Sequence, residues 1–133
     1  MTTPIADDSG LARFVRGEMD PRTFPHAEHV RMAFEMLQRH DFVETALYYS
    51  QALRAMTAKI GKPEAFHQTT TIAFLALIAE RLAGGGHGDF VSFATANPDL
   101  MSKAALARWY SAERLASSAA RSTFVLPDRA PQG

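Results

Sequence analysis

The apolar stretch Ile72-Ala-Phe-Leu-Ala-Leu-Ile-Ala79 is the strongest structural signal in this sequence. It lies between Pro63, a residue type favoured in the first turn of a helix, and the helix-ending glycines Gly84-Gly-Gly86. A helix that carries apolar residues on every side is buried by its neighbours. The pattern therefore predicts a buried central helix over about residues 63–83.

Helical patterns continue on the N-terminal side of this stretch. The tetrapeptide Asp41-Phe-Val-Glu44 is typical of a capping box and opens a predicted helix over Phe42–Ile60. Gly61 suits the position after the end of that helix. We expect another helix from Pro25 to about Arg39, and a short helix over Ser9–Val15.

On the C-terminal side the predicted elements are shorter. Three helices are expected there, over Phe90–Ala96 behind Asp89, over Lys103–Tyr110 behind Ser102, and over Ala112–Ser122. The tail Phe124–Asp128 is expected to be extended and packed. With no strand pattern and no repeat, the predicted fold class is all-α, a single-domain helical bundle over residues 1–133 with flexible ends at 1–8 and 129–133.

Composition excludes several classes of protein. The 133 residues include 14 Lys+Arg, 14 Asp+Glu and no Cys. The balanced charge argues against a nucleic-acid binder, which needs a basic excess, and the lack of Cys excludes thiolate metal sites and thiol nucleophiles. No apolar run approaches the roughly 20 residues that span a membrane, and the N-terminus lacks a signal-peptide pattern. We therefore expect a soluble, cytoplasmic, bacterial-type protein.

Three histidines are the main candidates for chemistry. His26 and His29 are one turn apart on the apolar stripe of their predicted helix, and His67 lies in the second turn of the central helix. Short connections favour an up-down-up arrangement, in which those two helices run in the same direction. We therefore expect the three imidazoles to meet at one end of the bundle, at the mouth of an apolar core that suits a small ligand.

Three further residues are candidates for holding a substrate. They are Thr71, one turn after His67, Tyr110, near a helix end, and Glu64, beside His67. The string His-Ala-Glu-His at 26–29 lacks the spacing of a zinc-protease motif, in which two residues follow the glutamate.

The histidine cluster suits more than one chemistry. Imidazoles near neutral pH can take and give protons, as in a lyase or cyclodehydratase that needs no cofactor. Three imidazoles also suit zinc with an open fourth position, and an added carboxylate such as Glu64 suits non-haem iron. The remaining alternative is a non-catalytic helical binding protein whose histidines fill polar gaps. The oligomeric state stays open, with a homodimer as one alternative.

Five stretches together resemble a group of short, mostly uncharacterised bacterial helical proteins, and the resemblance extends over about residues 24–128. These stretches are Phe24-Pro-His-Ala-Glu-His-Val-Arg-Met-Ala33, Phe66-His-Gln-Thr-Thr-Thr-Ile-Ala-Phe74, Phe93 through Asn97-Pro-Asp-Leu100, Trp109-Tyr-Ser111 and Ala120-Arg-Ser-Thr-Phe-Val-Leu-Pro-Asp128. Some proteins of this kind accompany genes of specialised metabolism. The resemblance implies an association with a cyclase that closes a guanidino-aldehyde to 2-aminoimidazole in nitroimidazole biosynthesis.

Overall fold

A computed structural model describes residues 10–130, and its regular structure is entirely helical. The α-helices are α1 Leu11–Val15, α2 His26–Arg39, α3 Phe42–Lys59, α4 Gln68–Ala83, α5 Phe90–Ala96, α6 Ala112–Ala116 and α7 Ser118–Ser122. Short 3₁₀ helices cover Pro21–Thr23, Pro63–Ala65, Pro98–Met101 and Lys103–Arg108. Over this part of the chain no strand is formed, and the predicted all-α class is confirmed.

Backbone contacts divide the described residues into two compact units, 10–65 and 66–130. The first unit contains α1, α2 and α3, and the second contains α4 to α7. The predicted flexibility of residues 1–8 lies outside the described residues, as do Ser9 of the first predicted helix and residues 131–133 of the predicted flexible C-terminus.

The first unit follows its local sequence signals closely. The Asp41 carboxylate accepts a hydrogen bond from the Glu44 backbone at 2.8 Å, and the Glu44 carboxylate accepts one from the Asp41 backbone at 3.3 Å. This reciprocal capping box starts α3, as predicted. At the other end Gly61 adopts a φ of +73°, a conformation that glycine reaches without strain. Only two residues link α2 to α3, so the two helices pack as an antiparallel pair.

The core of the first unit is rich in aromatic and methionine side chains. Fully buried members include Leu11, Phe14, Val30, Met32, Met36 and Met56. The chain just after α1 approaches α3 closely, because a Cβ built on Gly17 would lie 2.5 Å from the Cβ of Ala55. The hydroxyl of Thr45 is fully buried in this core and has no hydrogen-bond partner within residues 10–130.

The central helix starts later than predicted. The chain forms only one 3₁₀ turn at Pro63–Ala65, and α4 begins at Gln68. His67 has an extended backbone (φ −124°, ψ 109°), and its imidazole accepts a hydrogen bond from the backbone of Thr70 at 3.0 Å. His67 is therefore the N-cap of α4, and its placement in the second turn of a helix from Pro63 was wrong. The cap replaces the first backbone bond that a longer helix would have made.

α4 is buried chiefly along one line of residues. Thr71, Leu75 and Ile78 are buried, whereas Ala76 is exposed and most other members of the apolar stretch are half-buried. The alanines of the stretch carry little apolar surface, so the helix tolerates solvent at these positions although its sequence has no polar face.

The short C-terminal elements are also built on side-chain caps. Asp89 caps α5 as predicted, accepting from the Ser92 backbone at 2.9 Å. The predicted helix Lys103–Tyr110 is a 3₁₀ helix that ends at Arg108. The predicted helix Ala112–Ser122 is broken at Ser117, whose hydroxyl donates to the Arg114 carbonyl and accepts from the Ala120 backbone. These local bonds replace the continuous helical ladder.

An ion pair and an extended tail complete the second unit. Arg81 donates to the carboxylate of Asp99 from both terminal nitrogens of its guanidinium, at 3.1 and 2.8 Å, and this pair holds the pKa of Asp99 below its usual value. After α7 the chain contains no further helix within the described residues. Arg129, in the predicted flexible end, donates from its backbone to the Trp109 carbonyl at 2.9 Å. No helix within residues 10–130 is long and apolar enough to cross a membrane.

Candidate functional site

The first turn of α2 holds two of the three candidate catalytic histidines. His26 is the first residue of the helix, behind Pro25 as an extended N-cap, and His29 follows one turn later. Both residues are half-buried, so each is in contact with the protein on one side and accessible on the other. Pro25 suits this position because it has no backbone N–H to leave without a partner at the start of a helix.

His29 is held at two points by residues of the same unit. Its imidazole meets the ring of Phe24 edge to face, with the ring centres 4.8 Å apart and an interplanar angle of 71°. Its backbone carbonyl accepts a hydrogen bond from the hydroxyl of Tyr49 at 3.1 Å. Tyr49 is buried, and this burial raises the pKa of its phenol well above the usual value. Tyr49 therefore stays protonated and acts as a hydrogen-bond donor.

His67 belongs to the second unit, and both of its ring nitrogens bind the main chain. Nδ1 accepts from the Thr70 backbone at 3.0 Å, and Nε2 lies 2.7 Å from the carbonyl oxygen of Leu115. Because a carbonyl oxygen only accepts, these two bonds together assign the neutral tautomer with its proton on Nε2. In this arrangement His67 caps α4 and ties its start to α6.

The candidate substrate-binding residues have different surroundings. The hydroxyl of Thr71 donates to the His67 carbonyl at 2.8 Å, and that of Tyr110 donates to the Val125 carbonyl at 2.8 Å. Both residues are buried. Since each hydroxyl already donates its one proton to a carbonyl, it can interact with a substrate only as an acceptor. Glu64 is exposed in the 3₁₀ turn before α4.

The described histidines and carboxylates do not gather into a metal centre. Within residues 10–130 no group of three or more His, Asp or Glu side chains is placed so that it could hold a metal ion. The predicted meeting of His26 and His29 with His67 remains a prediction, because the first two belong to one unit and the third to the other.

Sequence reasoning missed two residues that support the site. One is Tyr49, which the two-residue link between α2 and α3 brings alongside α2. The other is Thr69, two residues before the candidate Thr71. Its hydroxyl donates to the Thr123 carbonyl at 2.8 Å and accepts from the Val125 backbone at 3.0 Å. Thr69 is the second residue of α4, and no signal in the sequence distinguishes it from Thr70 and Thr71.

Comparison with known proteins gives no family assignment. No model of a protein family matches the chain, and none of the curated proteins or solved structures compared with it does so either. The functional argument therefore depends on the geometry of the described residues.

Proposed function

We propose that this chain is a small acid/base enzyme of the lyase type that uses the imidazoles of His26 and His29. The proposed substrate is a small carbonyl compound bearing an amine or guanidine, which the enzyme cyclises with loss of water. The proposed setting is the cytoplasm of a bacterium, with no cofactor required and with a small molecule, not a nucleic acid, as the partner.

The support for this proposal is the pair of half-buried imidazoles one turn apart at the start of α2, together with the engagement of both ring nitrogens of His67 by the main chain. A proton added at Nδ1 of His67 would break the cap of α4, because that nitrogen could no longer accept from Thr70. The two contacts described at His29 engage its backbone carbonyl and its ring, and neither requires a particular ring nitrogen to carry the proton. An acid/base group must change its protonation state during turnover without losing its position. His67 does not meet that condition, which leaves the two imidazoles of α2 as the candidates for this role.

The reaction balances without an oxidant or a metal. A guanidine nitrogen adds to the aldehyde carbon of the substrate, giving a cyclic carbinolamine, and the loss of that hydroxyl with a neighbouring hydrogen releases one water. In the addition one imidazole accepts the proton of the attacking nitrogen and the other donates a proton to the carbonyl oxygen. In the dehydration the first donates its proton to the leaving hydroxyl and the second accepts the neighbouring C–H proton, so both imidazoles return to their starting states. Two histidines one turn apart at the start of α2 supply the two groups that this division needs.

The test is a screen of amino-aldehydes and guanidino-aldehydes for loss of water, followed by mass spectrometry. We expect the variants H26Q and H29Q to lose turnover by about 10²–10⁴-fold, the usual contribution of a general acid or base. His40, at the other end of α2, supplies the matched control, so H40Q should retain full activity. Activity that survives in both H26Q and H29Q would refute the proposal.

A metal-dependent form of the proposed mechanism has a separate test. Elemental mass spectrometry of untagged protein measures Zn and Fe per chain. Close to one metal per chain, lost when His26 or His67 is replaced, would transfer the chemistry to a three-histidine centre that activates water. A metal-free, folded and active protein would support direct imidazole catalysis.

A second candidate function is a non-catalytic helical binding protein. The observation that favours it is that His67, Thr71 and Tyr110 all direct their polar atoms to main-chain groups. Under this proposal H26Q and H29Q alter ligand affinity or stability, and no turnover is lost. Calorimetric binding of the unreactive guanidino-alcohol analogues, without turnover of the aldehydes, would favour this candidate.

A further inference from the structure

The rings around α1 and α3 connect Tyr49 to His29 by a second route. Phe14 stacks on Phe24, with their centres 5.5 Å apart and planes only 13° from parallel. Phe14 also contacts the ring of Tyr49, with centres 5.1 Å apart. Phe24 in turn meets the imidazole of His29. A row of four rings thus runs from Tyr49 to His29, in addition to the hydrogen bond between the same two residues.

We infer that Tyr49 and Phe24 are positioning residues that fix the orientation of the His29 imidazole. Tyr49 holds the backbone of His29 through a bond that joins α3 to α2, 20 residues apart in sequence. Phe24 holds the ring itself, and the buried Phe14 keeps Phe24 in place. The catalytic consequence of this inference rests on the proposed function, but the positioning itself does not.

The contacts that Tyr49 and Phe24 make with His29 suit a group that exchanges protons. A hydrogen bond from Tyr49 to a peptide carbonyl is unaffected by a proton on the imidazole. An edge-to-face contact with a phenyl ring is likewise available to the neutral and to the charged ring. Neither of these two supports therefore depends on the charge of His29, and a small misplacement of such a group is costly in rate.

The adjacent residue Tyr48 provides a matched control on the same helix. Tyr48 is exposed on α3, and its ring lies 5.4 Å from the ring of His40. The chain thus contains two neighbouring tyrosines, each close to a different histidine of the α2 region. Replacement of either by phenylalanine removes one hydroxyl and leaves the ring contacts in place.

The experiment records the imidazole Cε1–H resonances by NMR, with the His29 signal assigned by its loss in H29Q. We expect Y49F to move the His29 resonance and to leave that of His40 in place, and Y48F to leave the His29 resonance in place. F24L removes the ring contact directly and should move the His29 resonance towards its position in the unfolded chain. A His29 resonance that is unchanged in both Y49F and F24L, with the fold intact, would overturn the inference.

Kinetics then separate this inference from the proposed function. If both are correct, Y49F lowers kcat roughly three- to tenfold, as expected for one neutral hydrogen bond, with KM nearly unchanged and Y48F fully active. If the His29 resonance moves in Y49F while H29Q is fully active, the positioning stands and the proposed function fails. If Y49F should not fold, F24L alone still decides the positioning through its resonance.

Discussion

Replacement of His67 by alanine removes two bonds that can be counted in the structure. The first is the N-cap of α4, and loss of such a cap costs about 1 kcal/mol. The second is the bond from Nε2 to the Leu115 carbonyl, worth about another 1 kcal/mol. We therefore expect H67A to lower the free energy of unfolding by about 2 kcal/mol, a large share of the stability of a small protein. Urea denaturation followed by circular dichroism measures this difference.

The asparagine variant separates the two bonds. The side-chain oxygen of asparagine can take the place of Nδ1 and accept from the Thr70 backbone, because asparagine is a preferred N-cap residue. Its shorter side chain does not extend to the Leu115 carbonyl. H67N should therefore lose about 1 kcal/mol, roughly half the loss in H67A. A free energy of unfolding within about 0.5 kcal/mol of wild type in H67A, combined with loss of turnover, would refute the structural role and return His67 to the catalytic site.

Three further predictions concern single positions. T45V should raise the free energy of unfolding by about 1 kcal/mol in thermal unfolding, because it removes a buried hydroxyl without a hydrogen-bond partner; a destabilised variant would contradict this. G17A should lower the free energy of unfolding clearly more than G61A in urea unfolding. Both positions have a left-handed backbone, which costs a residue other than glycine about 1–2 kcal/mol, but only a Cβ at Gly17 would collide with Ala55. Equal losses would contradict the close approach at Gly17. The lowered pKa of Asp99 stabilises the fold above its usual pKa of about 3.9, and this contribution is lost as the pH falls through the folded value. The free energy of unfolding of the wild type should therefore exceed that of D99N at pH 6 and equal it at the acid end of a pH series. A difference between the two proteins that does not change with pH would contradict this prediction.

Several elements could be predicted from the sequence because their signals are local. The capping box at Asp41-Phe-Val-Glu44 and the cap at Asp89 each act on backbone groups three residues away. Such bonds form within one turn, whatever the rest of the chain does. The starts of α3 and α5 therefore agree with the prediction to the residue.

Other boundaries could not be predicted because uncommon side chains compete with the helical ladder. Histidine is not among the usual N-cap residues, so no signal indicated that the helical turn at Pro63–Ala65 would stop and that α4 would begin behind His67. Ser117 lies in an alanine- and serine-rich stretch that favours a continuous helix. Its hydroxyl binds on both sides, and the helix breaks there.

The candidate site was partly predictable for the same reason. The spacing of His26 and His29 predicted that they share one turn of α2, and the structure places them there. The residues that support His29 come from outside this turn. Tyr49 is 20 residues away, and its hydroxyl could be assigned to the His29 carbonyl only once α3 was placed against α2. Periodicity identifies the face of a helix, but it does not identify the atom that a buried tyrosine binds.

The five stretches that carry the resemblance differ in whether hydrogen bonds within the fold explain their polar residues. In the second unit they bind one another: Thr69 and Tyr110 both hold the backbone of Val125, and Ser111 donates to Asp128 through its backbone and its hydroxyl. Their polar residues are thus used to fasten the extended tail to α4 and to the turn before α6. Because these polar residues hold the tail in place, variants in the second unit are best treated as tests of stability, and the search for substrate chemistry begins at His26 and His29 of α2.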